Sequence, residues 1–122
     1  MSFVHGYIEC ALWASNDITE NGEDIRMEDY ELSDSARETL TEQALAFENA
    51  NADLLEQWYD LGVSPDYAGH DYWLTRNRHG AGFWDRFMNE PGQTIGRQLT
   101  DLAHADGECN LYLGDDELIY VQ

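Results

Sequence analysis

Four sets of side chains in this sequence have the types that do chemistry. The richest stretch is YAGHDYWLTRNRHGAGFWDR, Tyr67 to Arg86. Within it His70, Asp71, His79 and Asp85 supply imidazole and carboxylate, donors that Zn²⁺ or Fe²⁺ takes at about 2.0–2.2 Å. No HxH, HxxxH or HExxH spacing supports them, and a structural His70–Asp85 hydrogen bond is the simpler account. Arg76, Arg78 and Arg86 stand beside Tyr72, Trp73, Phe83 and Trp84, a mixture that can bind single-stranded nucleic acid by ion pairing and stacking. Core aromatics and arginines paired with the protein's own carboxylates explain it as well. Gly114-Asp115-Asp116-Glu117 lacks the spacing of an EF-hand loop and reads as a solvated turn. Cys10 and Cys109 are far apart, have no His nearby in sequence and form no CxxC, so they read as buried thiols of a reduced, intracellular protein. No P-loop, GxGxxG or GxSxG is present. No metal and no cofactor are expected.

The charge is more specific than any of these. The 122 residues carry 25 acids against six Arg and no Lys, for a net charge of −19. Residues 1–69 hold sixteen acids and two Arg; residues 101–122 hold six acids and no base. Such a field repels nucleic acid and attracts basic surfaces. Mimicry of a phosphate backbone, a solubility device and a halophilic host are its three readings. The hydrophobic content of 43% excludes a disordered acidic tail and suits one acidic domain over 1–122. No segment approaches the ~20 apolar residues of a membrane span, and the N-terminus lacks a basic n-region, so no signal peptide is expected.

These residues must be positioned by local elements. The Tyr67–Arg86 stretch reads as a β-hairpin, Gly69–Arg76 with His79–Arg86, turning near Asn77-Arg78. That register sets His70 opposite Asp85, Tyr72 opposite Phe83 and Leu74 opposite Ala81. His70, Asp71, Arg76, His79 and Asp85 then form a polar hairpin site. From Ser35 the spacing of Ala36, Leu40, Ala44, Phe47, Leu54, Trp58 and Leu61 predicts one long amphipathic helix. Ser35-Ala-Arg-Glu38 is a capping-box pattern with Ser33 an alternative cap, and Gly62 and Pro65 end the helix. Glu38, Glu42, Asp53, Glu56 and Asp60 fall on its other side, a row of carboxylates about 6–16 Å apart. The loop acids Glu20, Glu23, Asp24, Glu28 and Asp29 would extend that row.

Upstream, Ser2–Ser15 is apolar and reads as a short helix or strand-to-helix entry, with Val4, Ile8, Ala11 and Leu12 as the helical stripe and a buried strand as the alternative. Asn16–Glu31 reads as an acidic loop turning at Asn21-Gly22, anchored by Ile25, Met27 and Tyr30. A second, shorter helix follows Pro91, with Ile95, Leu99 and Leu102 buried and Gly107 its stop. The chain ends in a hairpin, Cys109–Leu113 with Leu118–Val121. The fold class is therefore α+β: a small antiparallel sheet of two hairpins with one long and one shorter amphipathic helix.

HDYWLTRNRHGAGFWDR, together with YIECALWAS and NLYLGDDELIY, resembles segments of a group of small acidic proteins encoded by tailed bacteriophages. Members of the group often have Asn-Gly where this chain has Asn77-Arg78. The resemblance implies a phage context, and so the host cytoplasm, but no chemistry and no functional residues. The function expected is a non-enzymatic accessory protein whose acidic face (Glu38, Glu42, Asp53, Glu56, Asp60) occupies a basic, often nucleic-acid-binding site on a host protein, as a DNA mimic does. A small metal-dependent enzyme centred on the His70–Asp85 hairpin and a phage structural or assembly accessory are the alternatives. Direct nucleic-acid binding and membrane association are not expected.

Overall fold

The computed structural model describes residues 2–18 and 21–122. The chain is α+β. Helices α1 (Phe3–Ala14), α2 (Asp34–Ala50), α3 (Ala52–Asp60), α4 (Pro65–Arg76) and α5 (Gly92–Ala105) carry most of it. The short strands are β1 (Asn16–Ile18), β2 (Asp24–Arg26), β3 (Glu31–Leu32), β4 (Leu111–Leu113) and β5 (Leu118–Val121). Single 3₁₀ turns occupy Met27–Asp29 and Phe83–Asp85.

The apolar N-terminus is a helix. Ser2 caps it, its hydroxyl accepting from the His5 N–H at 3.0 Å. Phe3, Gly6, Tyr7, Cys10 and Ala11 are buried, a stripe at helical spacing. Val4, Ile8 and Leu12 of the expected stripe are only half-buried; Ala11 alone of that set is in the core.

The Gly69–Arg76/His79–Arg86 hairpin does not form. Its first strand is the body of α4. Ser64-Pro65 opens the helix with Pro in its first turn, where the missing N–H costs nothing, and Asp66 complements the helix start. Ala68, Gly69, Asp71, Tyr72, Trp73, Thr75 and Arg76 are buried, a pattern that fits helical spacing and not strand alternation. Asn77 ends the helix and Arg78 takes φ 56°, the left-handed position that glycine would occupy without strain.

Helix α4 lies directly on α1, and two glycines set the distance. A Cβ at Gly69 would stand 2.1 Å from the Phe3 carbonyl oxygen, and one at Gly6 would stand 1.9 Å from that of Asp66. The two backbones therefore touch, and aromatics fill the space on either side. Tyr7 stacks on Tyr72 with ring centroids 5.0 Å apart, and Phe47 of α2 meets Tyr72 edge-on at 4.0 Å.

The long helix is two helices. Asn51 leaves the helical region (φ −123°, ψ 28°), and its side-chain amide and backbone N–H both bond the Phe47 carbonyl. This local bond competes with continuation of the helical ladder. Ser33, not Ser35, caps α2, accepting from the Ala36 N–H at 3.1 Å. Leu40, Ala44, Phe47 and Trp58 are buried as expected, but the two rings pack on other helices and the Phe83 turn and not on a sheet. In α5, which starts after Pro91, Ile95 and Leu99 are buried; Ala103 takes the inward position expected for Leu102, which is exposed.

The C-terminal hairpin is present, with Leu111 opposite Val121 and Leu113 opposite Ile119. Its sheet is mixed. Strand β3 pairs with β5 in parallel, Glu31 with Leu118 and Leu32 with Ile119, giving the order β3-β5-β4. Among the described residues a second antiparallel pair is β1–β2, inside the segment read as an acidic loop. Of that segment's anchors Met27 is fully buried, while Ile25 and Tyr30 are half-buried. Among the described residues no helix is long and apolar enough to cross a membrane.

Candidate functional site

The residues assigned to the polar hairpin site are dispersed along α4 and the turn after it. Being helical, α4 places His70 and the buried Asp71 at one groove and Arg76, more than a turn later, at the end of α5. His70, Asp71 and Asp85 do share a groove of about 390 Å³, with Tyr67, Leu74, Ala81, Gly82 and Arg86. His79 lies beyond the end of α4 and lines a different hollow with Trp73, Asn77 and Cys109. His70 meets Glu9 rather than Asp85, and Asp85 caps the 3₁₀ turn by accepting from the Gly82 N–H at 3.0 Å. Among the described residues no three His, Cys, Asp or Glu side chains converge on a point that would hold a metal ion.

Arg76 is a structural hub. It is 6% exposed. Its Nε donates to the Gly107 carbonyl at 2.8 Å and its Nη2 to the Asp106 carbonyl at 3.0 Å, so the guanidinium closes the C-terminal end of α5. Its Nη1 donates to the Tyr7 hydroxyl at 2.9 Å and reaches Tyr72 and Gln43. Tyr7 donates onward to Gln43, and Tyr72 to the Asp106 carboxylate at 2.6 Å. Burial pushes both phenols well above the usual tyrosine range, so they remain protonated donors. Arg76 thus holds its charge among neutral acceptors, with the nearest carboxylate reached through Tyr72. The Cys109 thiol donates into the same network at Gln43, and burial raises its pKa. Burial pushes the Cys10 thiol up to about 12. Both cysteines are free and buried, and burial disfavours the thiolate of each.

Asp71 is paired with Arg86 and is buried. Desolvation outweighs that pairing and raises its carboxyl to about 6. A carboxyl that binds its proton at higher pH folded than unfolded favours the folded state at low pH. That contribution is lost as pH rises through about 6. Between pH 7 and pH 5 the wild type is expected to gain about 1 kcal/mol more stability than Asp71→Asn. Chemical denaturation of both proteins at the two pH values measures it; parallel profiles would show that Asp71 is already ionised at pH 5.

The outer face of α1 forms a second groove, about 500 Å³, lined by Glu9, Leu12, Trp13, Glu28 and His70. Glu9 is held from both sides, with His70 Nε2 3.0 Å from one oxygen and His5 Nε2 3.3 Å from the other. Trp13, one turn after Glu9, is 65% exposed. Sequence reading placed no functional weight on Trp13 or Glu9. Their one local signal was their spacing with His5, which puts all three on adjacent turns of one helix side.

The acidic residues lie as their types require. Glu38 and Glu42 on α2, and Asp53, Glu56 and Asp60 on α3, are all exposed. None of the five enters an ion pair among the described residues. They occupy two helices and not one continuous row. Glu23, Asp24, Glu28 and Asp29 are also exposed, and Glu20 lies outside the described residues. Few cations dilute this surface: Arg76 is buried, Arg86 serves Asp71 and Arg26 serves Glu28. In the C-terminal turn, Asp116 accepts from the Tyr120 hydroxyl and the Leu118 N–H.

No family model matches the sequence, no curated protein shows significant similarity to it, and no solved structure matches its fold.

Proposed function

We propose that this chain is a non-enzymatic interaction protein of phage context that docks its acidic surface against a basic, nucleic-acid-binding site of a host protein. One observation carries the reading: Glu38, Glu42, Asp53, Glu56 and Asp60 are exposed and enter no ion pair among the described residues, while half of the six arginines are turned inward or spent on the protein's own carboxylates. Arg37, Arg78 and Arg97 are the exposed cations that remain against 25 acids, so the surface is predominantly negative, in keeping with the net charge of −19. A field of this kind accelerates encounter with a basic partner and rejects nucleic acid. The break at Asn51 divides the carboxylates between α2, with Glu38 and Glu42, and α3, with Asp53, Glu56 and Asp60. The alternative of a metal enzyme loses its ligand set, because His79 stands apart from His70 and Asp85.

Changing the five acids to Gln or Asn is expected to weaken binding at least about tenfold at low salt, with little effect at high salt where exposed charges are screened. The measurement is displacement of DNA from host nucleases and repressors at two salt concentrations. Failure to displace DNA at low salt from a broad panel would leave the charge as a solubility device.

A further inference from the structure

We infer that the groove between α1, the Met27–Asp29 turn and α4 receives an arginine side chain of the basic partner, with Trp13 as stacking platform and Glu9 and Glu28 as carboxylate acceptors. The inference rests on the proposed docking function and names its anchor point. The acids of α2 and α3 attract any cation from solution. This groove differs from them because it is concave and combines an indole, an aliphatic wall and two carboxylates. Its volume of about 500 Å³ falls within the roughly 300–1,000 Å³ of ligand clefts.

Three features select the occupant. The first is charge: Glu9 and Glu28 line the groove, with Asp29 exposed on the same turn, so an anion is repelled. The second is the indole. Trp13 is 65% exposed at the end of a helix whose other aromatics, Phe3 and Tyr7, are fully buried. Trp is the strongest cation–π partner among side chains and is enriched at binding hot spots. The third is the preset carboxylate. His5 and His70 fix Glu9 from two sides, each imidazole taking one contact to an oxygen that has further acceptor capacity. A planar guanidinium stacks on an indole and meets carboxylates as a fork, which an ammonium does not. Arg26 already shows the chemistry within the chain by pairing with Glu28 at the groove edge. An incoming arginine would join or displace it there.

The test uses two blocked peptides of equal length and charge, one carrying arginines and one lysines, titrated into the full chain at low salt. Trp13→Ala is expected to weaken the arginine peptide about fivefold and the lysine peptide less than twofold. Neutralising the five acids of α2 and α3 is expected to weaken both peptides alike. In the wild type, the Trp13 indole N–H resonance should shift more than those of the other tryptophans. If Trp13→Ala binds both peptides as the wild type does while the five-acid variant is weakened, the groove assignment falls and the acidic docking function stands. If the wild type binds neither peptide, both fall. If Trp13→Ala instead turns a wild-type dimer into a monomer, the groove seats a second copy of this chain and the arginine assignment is overturned. Trp13 is exposed, so its truncation leaves the core intact.

Discussion

Arg76→Met should cost the fold about 3–5 kcal/mol, because it removes the donor that joins α4, α1, α2 and the end of α5. The substitution roughly keeps side-chain length and apolar stem. What disappears is the guanidinium fork between the Gly107 and Asp106 carbonyls and the Tyr7 hydroxyl. Those carbonyls sit just past the last turn of α5, where backbone acceptors have no intrahelical partner. Two effects oppose the loss. Burying a guanidinium among neutral acceptors is expensive, and the methionine variant avoids that cost. The groove of about 480 Å³ beside Arg76, lined by Gln43, Phe47 and Leu102, also gives water a route to the stranded oxygens. The loss should still dominate, since several acceptors lose one donor at once and the network has no second cation. Arg76→Lys should recover little, because one ammonium cannot reach acceptors on three sides. Urea denaturation measures both variants. A loss below about 1 kcal/mol for Arg76→Met would mean that water in that groove replaces the guanidinium.

The contrast between Arg76 and Trp58 shows what the sequence made legible. Trp58, Phe47, Ala44 and Leu40 recur with the helical period, and each is buried where that period places it. The C-terminal hairpin was equally plain, because Leu111 and Leu113 alternate with polar neighbours around an acidic turn. Strand β3 had no such signal: two residues, Glu31 and Leu32, owe their conformation to Leu118 and Ile119 from the far end of the chain. The break at Asn51 depends on one side-chain amide bonding backward. The α4 segment misled for a different reason. Its aromatics and Thr75 have strand-like propensities and its glycine disfavours a helix, and tertiary contact with α1 overrode both. The candidate site inherited that error. His70 and Asp71 were picked out from their types, and so was Asp85. Their partners, Glu9 and Arg86, follow only from the helical geometry of α4 and its contact with α1. Exposure of the five acids was legible because charged residues at solvent-facing helical positions need no tertiary information.

Gly69→Ala should be, with Gly6→Ala across the same contact, among the most damaging single-methyl changes in this protein. The added Cβ would stand 2.1 Å from the Phe3 carbonyl oxygen and 2.6 Å from the Tyr7 nitrogen, both backbone atoms. No side-chain rotation can relieve those contacts. Relief requires α1 and α4 to separate by more than an ångström. That separation would pull Tyr72 from Tyr7 and Phe3, and Arg76 from the Tyr7 hydroxyl. Overpacking in a core usually costs about 1–3 kcal/mol, and here it is coupled to loss of the Arg76 network, so more than about 3 kcal/mol is expected. Alanine's higher helix propensity offsets this by only about 1 kcal/mol. A control is available at Gly80, which has open space around its Cβ position and should accept alanine nearly neutrally. Thermal and urea denaturation of Gly69→Ala and Gly80→Ala side by side isolate the contact from the general effect of adding a methyl group. If Gly69→Ala proves as stable as Gly80→Ala, the two helices do not meet at backbone distance. The groove at Trp13 and His70, which spans the same pair of helices, would then lose its fixed geometry.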